Sequence, residues 1–290
     1  MSTLLRRTKT ALEKLAPLSL AEPWDNVGVL VDPPYPRPSA SKVFLTIDFT
    51  EAVAEEALGD EKVGVVVAYH PPIFRPWKRL EMADVKQRIM MKCIAKGLGI
   101  YSPHTAVDAC SGGVNDWLSS ALGFPGVLKP IVPASNIPEG QETVGSGRIM
   151  TFHKPVSLDL IIKEVKQRLD LKYVRVARAL RHKEPSSQNI STVGICAGSG
   201  ASVLSPIKVD LYFTGELSHH EVLAALAQDT SDHSSIVVDR FLSGEHSNTE
   251  RGYLTKVLKP HLEKLLREDG DDEAVEVVVS SIDRDPLDIV

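Results

Sequence analysis

The chain has 290 residues, 43% of them hydrophobic and 24% charged, with a formal net charge of −5 from 33 basic and 38 acidic side chains. That length and balance suit about two ordinary globular domains with full cores, and the acidic surplus supplies no field to hold a nucleic-acid backbone or an anionic membrane. Cys93, Cys110 and Cys196 show no C-x-x-C spacing, which argues against a disulfide framework or a thiolate zinc site and fits a reducing compartment, and no apolar run approaches the roughly 20 residues of a membrane span.

Leu4, Leu5, Ala11, Leu12 and Leu15 recur at helical spacing and predict an amphipathic helix over 4–15. Its Arg6, Arg7, Lys9 and Lys14 against Glu13 also give it the look of a mitochondrial transit peptide; the helix is the reading adopted here, and cytoplasmic residence is expected, with mitochondrion and nucleus left open. A short strand over Val27–Val31 leads into a proline-rich loop, then a buried strand over Val43–Ile47, with Thr50 placed to cap a helix through Leu58. A strand from Val63 ends at His70, where Pro71-Pro72 cannot continue a ladder; a helix over 82–96 closes at Gly97, and a strand precedes His104. A helix follows Gly112-Gly113 and ends near Gly123, and the proline- and glycine-rich 125–146 reads as a linker. The expected division is a first α/β lobe over 1–128 and a second over 129–290, whose C-terminal segment is free to pack back on the first. The second lobe predicts strand 148–152, helix 157–169, strands 173–178, 192–196 and 209–213, a helix over 218–227, strand 235–238 and a last strand over 275–279. The fold class expected is therefore α/β, two similar lobes of mixed sheet flanked by helices.

One plan occurs twice: strand, polar patch with histidine, helix, strand, then His-x-x-x-acid at the start of another helix. The first copy runs from Val63 through His70 to His104 and Asp108; the second runs from Val209 through Gly215-Glu216 and His219-His220 to His246 and Glu250. Imidazoles and carboxylates just past strand ends are the donors of a buried divalent-metal site, and the carboxyl edges of sheets are where such groups converge. His70, His104, Asp108, His246 and Glu250 are the candidate ligands; an N/O set without thiolate suits zinc, manganese or iron, one ion or two. Successive helical residues point about 100° apart, so His219 and His220 do not share an ion; one of them either orients substrate or simply bonds to backbone. Ile195-Cys196-Ala197-Gly198-Ser199-Gly200 is a strand entering a small-residue turn; it lacks the third glycine of a dinucleotide loop and the Lys-Ser/Thr of a P-loop, which argues against a dinucleotide fold and leaves a tight turn with amides for one anionic group only as the lesser alternative.

Trp24-Asp25-Asn26-Val27-Gly28, Tyr69-His70-Pro71-Pro72, His104 to Asp108 with Gly112-Gly113-Val114-Asn115, Gly215-Glu216 with His219-His220, and Glu245 to Gly252 together closely resemble the Nif-three-like family (NGG-one-interacting factor three), in order and over almost the whole chain. The resemblance implies two similar α/β lobes, a ring-shaped homohexamer, and a paired divalent-metal site in the cleft between lobes, with ligands falling on His70, His104, Asp108, His246 and Glu250. Some members are labelled GTP cyclohydrolase I type 2 homologues, which implies metal-dependent hydrolysis of a nucleotide-like small molecule, with Glu216 or His219 moving protons. The alternative is a non-catalytic interaction or transcription-linked scaffold with a protein partner. Tyr69 stands where bacterial members carry a histidine, as in the eukaryotic branch, which puts the metal count in question.

Overall fold

The structure, a computed structural model, describes residues 1–179, 189–227, 234–237, 246–269 and 274–286, and of 234–237 and 246 the backbone. Two compact units emerge, Met1–Val107 with Tyr253–Arg284, and Asp108–Gly252 with Asp285–Val290. The first opens with α1 (Thr3–Leu15), β1 (Gly28–Val31), β2 (Lys42–Thr46), α2 (Glu51–Gly59), β3 (Val63–Ala68), α3 (Val85–Ala95) and β4 (Gly99–Ser102), and α4 (His104–Ala109) leads out of it. The second holds α5 (Val114–Ala121), β5 (Gly126–Pro133), β6 (Gly145–Ser157), α6 (Leu158–Arg168), β7 (Arg175–Ala177), β8 (Asn189–Ser199), α7 (Ala201–Leu204), β9 (Leu211–Glu216), α8 (His219–Leu226), β10 (Ser234–Val237), a 3-10 turn (His246–Thr249) and α9 (Arg251–Tyr253). The chain then returns to the first unit through a π-helical turn (Leu254–Leu258), α10 (Lys259–Glu268) and β11 (Glu276–Val279).

Local chemistry sets the helix boundaries. Ser2 accepts from the Leu5 amide at 3.2 Å to start α1, Thr50 accepts from Val53 at 3.4 Å to start α2, and Asp84 accepts from Gln87 at 2.9 Å to start α3. The α3 start therefore falls at Val85 rather than at 82. Gly97 ends that helix at φ +73°, where a Cβ would lie 2.4 Å from the Tyr35 carbonyl. On α1 Leu4, Leu5, Ala11 and Leu12 of the expected apolar face are buried and Leu15 is half-buried, and the stem of Arg7 goes in with them, its guanidinium meeting Asp269 at 2.5 Å and the Leu266 carbonyl at 2.8 Å.

In the first unit the sheet order is β1-β4-β3-β2-β11, with β4, β3, β2 and β11 parallel and β1 antiparallel to β4. Every residue of β3 is buried, as a central parallel strand covered on both faces requires. Phe44, Val66 and Ile100 from three strands pack with Val53 and Ala57 of α2 and Ile89, Met90 and Cys93 of α3. In the second unit the order is β5-β6-β8-β9-β10-β7, with β8, β9 and β10 parallel. Leu204, Val209, Tyr212 and Ala225 belong to its core.

The doubled plan of the sequence is a doubled topology. The succession α1-β1-β2-α2-β3-α3-β4 recurs as α6-β7-β8-α7-β9-α8-β10. The sheet order β1-β4-β3-β2 recurs as β7-β10-β9-β8, each with an antiparallel first pair and parallel neighbours after it. The expected linker over 125–146 differs: Gly126–Pro133 is strand β5, antiparallel to β6. Pro130 and Pro133 are tolerated because β5 is an edge strand, where a missing N–H breaks no second ladder.

Candidate functional site

Within the first unit, the β2–β3 ladder runs two residues past β3, the Tyr69 amide donating to Thr46 at 2.9 Å and the His70 amide to Ile47 at 3.1 Å, which carries His70 to the carboxyl end of the sheet. Ser102, at the end of neighbouring β4, donates to the Tyr69 carbonyl at 2.9 Å, and Pro103 then delivers His104 to the same edge. The imidazoles of His70 and His104 lie 5.5 Å apart between centroids, edge to face. The Tyr69 ring, 2% exposed, meets both edge-on at 5.0 and 5.6 Å. Trp24 and Phe74, 61% and 44% exposed, stand 6.2 and 6.4 Å from His104. The site is thus two histidines on an aromatic bed at the carboxyl ends of adjacent parallel strands, where α/β sheets place their ligands.

Two carboxylates outside the candidate ligand set face these rings, Asp25 of the Trp24–Gly28 motif and Asp48. Asp48 Oδ1 lies 2.9 Å from His70 Nδ1, and both oxygens of Asp25 lie 2.8 Å from His104 Nδ1. Burial pushes the Asp25 carboxyl up, but hydrogen bonds from His104 and Thr105 outweigh it and hold the group below the usual carboxylate range. Nothing local marks either aspartate: Asp25 and His104 are 79 residues apart, and Asp48 and His70 are 22 apart.

In the second unit, half-buried Asp108 follows His104 by one turn of α4. Asn115, 1% exposed, donates to the Asp108 carbonyl at 3.0 Å and accepts from the Ala197 amide at 2.8 Å. Thr249 accepts from the Gly198 amide at 3.0 Å, fixing the turn beside Glu250, itself 1% exposed. Of the small-residue turn, the Ala197 and Gly198 amides are taken by Asn115 and Thr249 and are not open to an anion. Cys110 beneath this region has its thiol pushed up to about 12, first by burial and then by the Asp116 charge. Glu216 ends β9 half-buried, opposite Ser199, the strand-end position that His70 follows in the first unit. His219 is exposed at the first turn of α8, whose start is closed by a Ser218–Glu221 capping box, and its ring lies 5.5 Å from that of His220. The side chain of His246 is outside the described part of the structure.

The structure thus brings His70 and His104 together in one unit, and holds Asp108, Glu250, Glu216 and His219 in the other. Taken unit by unit, the donor chemistry fits a divalent ion: in the first unit two imidazoles whose Nδ1 atoms face carboxylates, in the second the carboxylates of Asp108 and Glu250, while all three cysteines are buried. Among the described residues no group of three or more His, Cys, Asp or Glu side chains forms a metal cage. No helix among the described residues is long and apolar enough to cross a membrane.

Residues 3–286 match the family described as Duf34/NIF3 (NGG1p interacting factor 3). "Protein NIF3 homolog" of Schizosaccharomyces pombe is 44% identical over 97% of this chain and 96% of that protein. "NGG1-interacting factor 3" of Saccharomyces cerevisiae is 40% identical over 91% and 89%, and "NIF3-like protein 1" of Homo sapiens 32% identical over 99% and 92%. Among solved structures, the Bacillus cereus protein related to NIF3 superposes with a TM-score of 0.75 at 21% identity, covering 98% of each chain. Reduced HcgD from Methanocaldococcus jannaschii gives 0.74 at 21% identity over 95% and 96%; both likenesses concern the fold.

Proposed function

This chain belongs to the Duf34/NIF3 family, and on that premise we propose that it is a divalent-metal-binding, metal-dependent hydrolase acting on a nucleotide-like small molecule, in the manner of a GTP cyclohydrolase I type 2 homologue. The observation that carries the reading is the pair of imidazoles 5.5 Å apart at the ends of adjacent parallel strands. His70, His104, Asp108, His246 and Glu250 are the residues that would hold one or two ions of zinc, iron or manganese. When bound, such an ion lowers the pKa of a water from 15.7 to about 7 and polarises the bond under attack.

The chain's own residues do the rest. The buried Tyr69 ring packs edge-on against both imidazoles, and its phenol stands where a further nitrogen donor would be, which weakens one metal position or leaves it to the phenol or a water. Glu216, half-buried at a strand end, or the exposed His219 would serve as the group that moves protons during hydrolysis. Homohexameric assembly belongs to the same reading.

The test is incubation of metal-loaded protein with GTP. Release of formate, lost in Glu216→Gln, is expected; absence of formate with metal still bound refutes the cyclohydrolase activity. The printed name of the Saccharomyces cerevisiae relative describes an interacting factor and favours a second reading, a metal-bearing scaffold with a protein partner. Co-purification of a stoichiometric partner by a hydrolytically inert protein would support it.

A further inference from the structure

The two candidate metal-binding histidines of the first unit are held unequally. His104 Nδ1 meets both oxygens of Asp25 at 2.8 Å, and the Asp25 side chain is 0% exposed. Asp25 also accepts from the Thr105 amide at 3.1 Å, from the Thr105 hydroxyl at 2.5 Å and from the Asn26 amide at 2.8 Å. Thr105 Oγ1 in turn accepts from the Glu22 amide at 3.0 Å. This network closes over a backbone strained at His104, whose φ is +27°, a value that costs a non-glycine residue and persists only where its surroundings over-determine it. His70 Nδ1 meets Asp48 Oδ1 at 2.9 Å, on a side chain 35% exposed where that of Asp25 is closed to solvent.

An ionised carboxylate only accepts hydrogen bonds, so a neutral imidazole facing it must carry its proton on Nδ1 and its lone pair on Nε2. A plain structural His–Asp pair would need neither two oxygens on one nitrogen nor a strained residue at the first turn of a helix. We propose that Asp25 and Asp48 are positioning residues that lock His104 and His70 in the Nδ1–H tautomer, presenting both Nε2 lone pairs to the divalent ion. Asp25 is the dominant of the two. The inference rests on the metal-binding reading for its ligand, while the tautomers themselves can be observed without any metal. Such carboxylates orient the ring and raise its basicity, and their loss typically costs about 10–100-fold in metal affinity.

The experiment has two readouts on the full chain labelled with ¹⁵N at histidine. In the metal-free protein, two-bond ¹⁵N–¹H correlation spectra at neutral pH should show His70 and His104 as Nδ1–H tautomers. Asp25→Asn, whose amide can donate to Nδ1, should shift His104 toward the Nε2–H form and leave His70 unchanged; Asp48→Asn should do the reverse. In the second readout, Zn²⁺ affinity by competition with a chromophoric chelator should fall roughly 100-fold for Asp25→Asn and roughly 10-fold for Asp48→Asn. Unchanged tautomers together with unchanged affinity in both variants overturn the proposal. Should Asp25→Asn fail to fold, the more exposed Asp48→Asn still decides it at His70. A wild type that takes up no Zn²⁺ but shows the expected tautomers defeats the metal reading alone, whereas Nε2–H tautomers in the wild type defeat the positioning itself.

Discussion

Arg148 joins the segment that carries Asp108 to the sheet of the second unit, and its removal has a calculable cost. Its side chain is 0% exposed; Nε meets Asp116 Oδ1 at 2.6 Å, Nη1 meets the carbonyls of Gly145 and Gly147 at 2.7 and 2.9 Å, and Nη2 those of Ala109, Cys110 and Thr143 at 3.2, 3.1 and 3.0 Å. Arg148→Met leaves the Asp116 charge, 19% exposed, without its cation, and withdraws a donor from five carbonyls. Breaking a buried pair in this one-sided way costs about 3–5 kcal/mol, which for a unit of this size lowers Tm by on the order of 10 °C. Arg148→Lys keeps the charge but brings only three donors from one point where six bonds were made, so it should lie between wild type and Met. Adding Asp116→Asn to Arg148→Met should restore part of the loss, since the abandoned charge is then gone. Urea and thermal melts followed by circular dichroism read all four proteins. Arg148→Met within about 1 kcal/mol of wild type, or a double variant no better than the single, would refute the reasoning.

Glu56 accepts from the Ser280 and Ser281 hydroxyls at 2.5 and 2.6 Å and from the Ser281 amide at 2.9 Å; burial pushes its carboxyl up, but these bonds hold it below its ordinary value. Its folded pKa being depressed, its contribution is present above the ordinary carboxylate range and lost as pH falls through the folded value, so Glu56→Gln should flatten the acid limb of stability against pH; parallel limbs would count against this. Gly97→Ala must place a Cβ 2.4 Å from the Tyr35 carbonyl at φ +73°, and a loss above about 1 kcal/mol in urea melts is expected, a neutral result being contrary. Burial pushes the Cys93 and Cys110 thiols up to about 12, so a disulfide reagent at pH 8 should modify them only at the rate of unfolding; prompt reaction in the native protein would speak against their placement.

The alternation of strand and helix could be read from the sequence because parallel strands buried on both faces, such as Val63–Ala68, leave unbroken apolar runs that prolines and glycines end. Even the internal repeat was visible, since each copy closes on His-x-x-x-acid. Strand β5 was hidden because Pro130 and Pro133 read as loop residues unless the strand is known to lie at an edge. The partners of the turn at Ala197-Gly198 could not be read because they are remote, Asn115 at 82 residues and Thr249 at 51. Of the site, the histidines announced themselves by position after strands. Asp25 stood in a quoted motif, but its pairing with His104, and that of Asp48 with His70, arises only when the chain is folded, and periodicity carries no information about it.

Metal content tests the central claim most directly. Purified protein is exposed to zinc, manganese or iron(II), cleared of excess ion and measured by elemental analysis, wild type beside His70→Ala, His104→Ala and Asp108→Ala, with circular dichroism to establish that each variant folds. Stoichiometric metal in the wild type and a clear loss in every folded variant is the expected result. A wild type without metal, or equal metal in all four proteins, contradicts the claim.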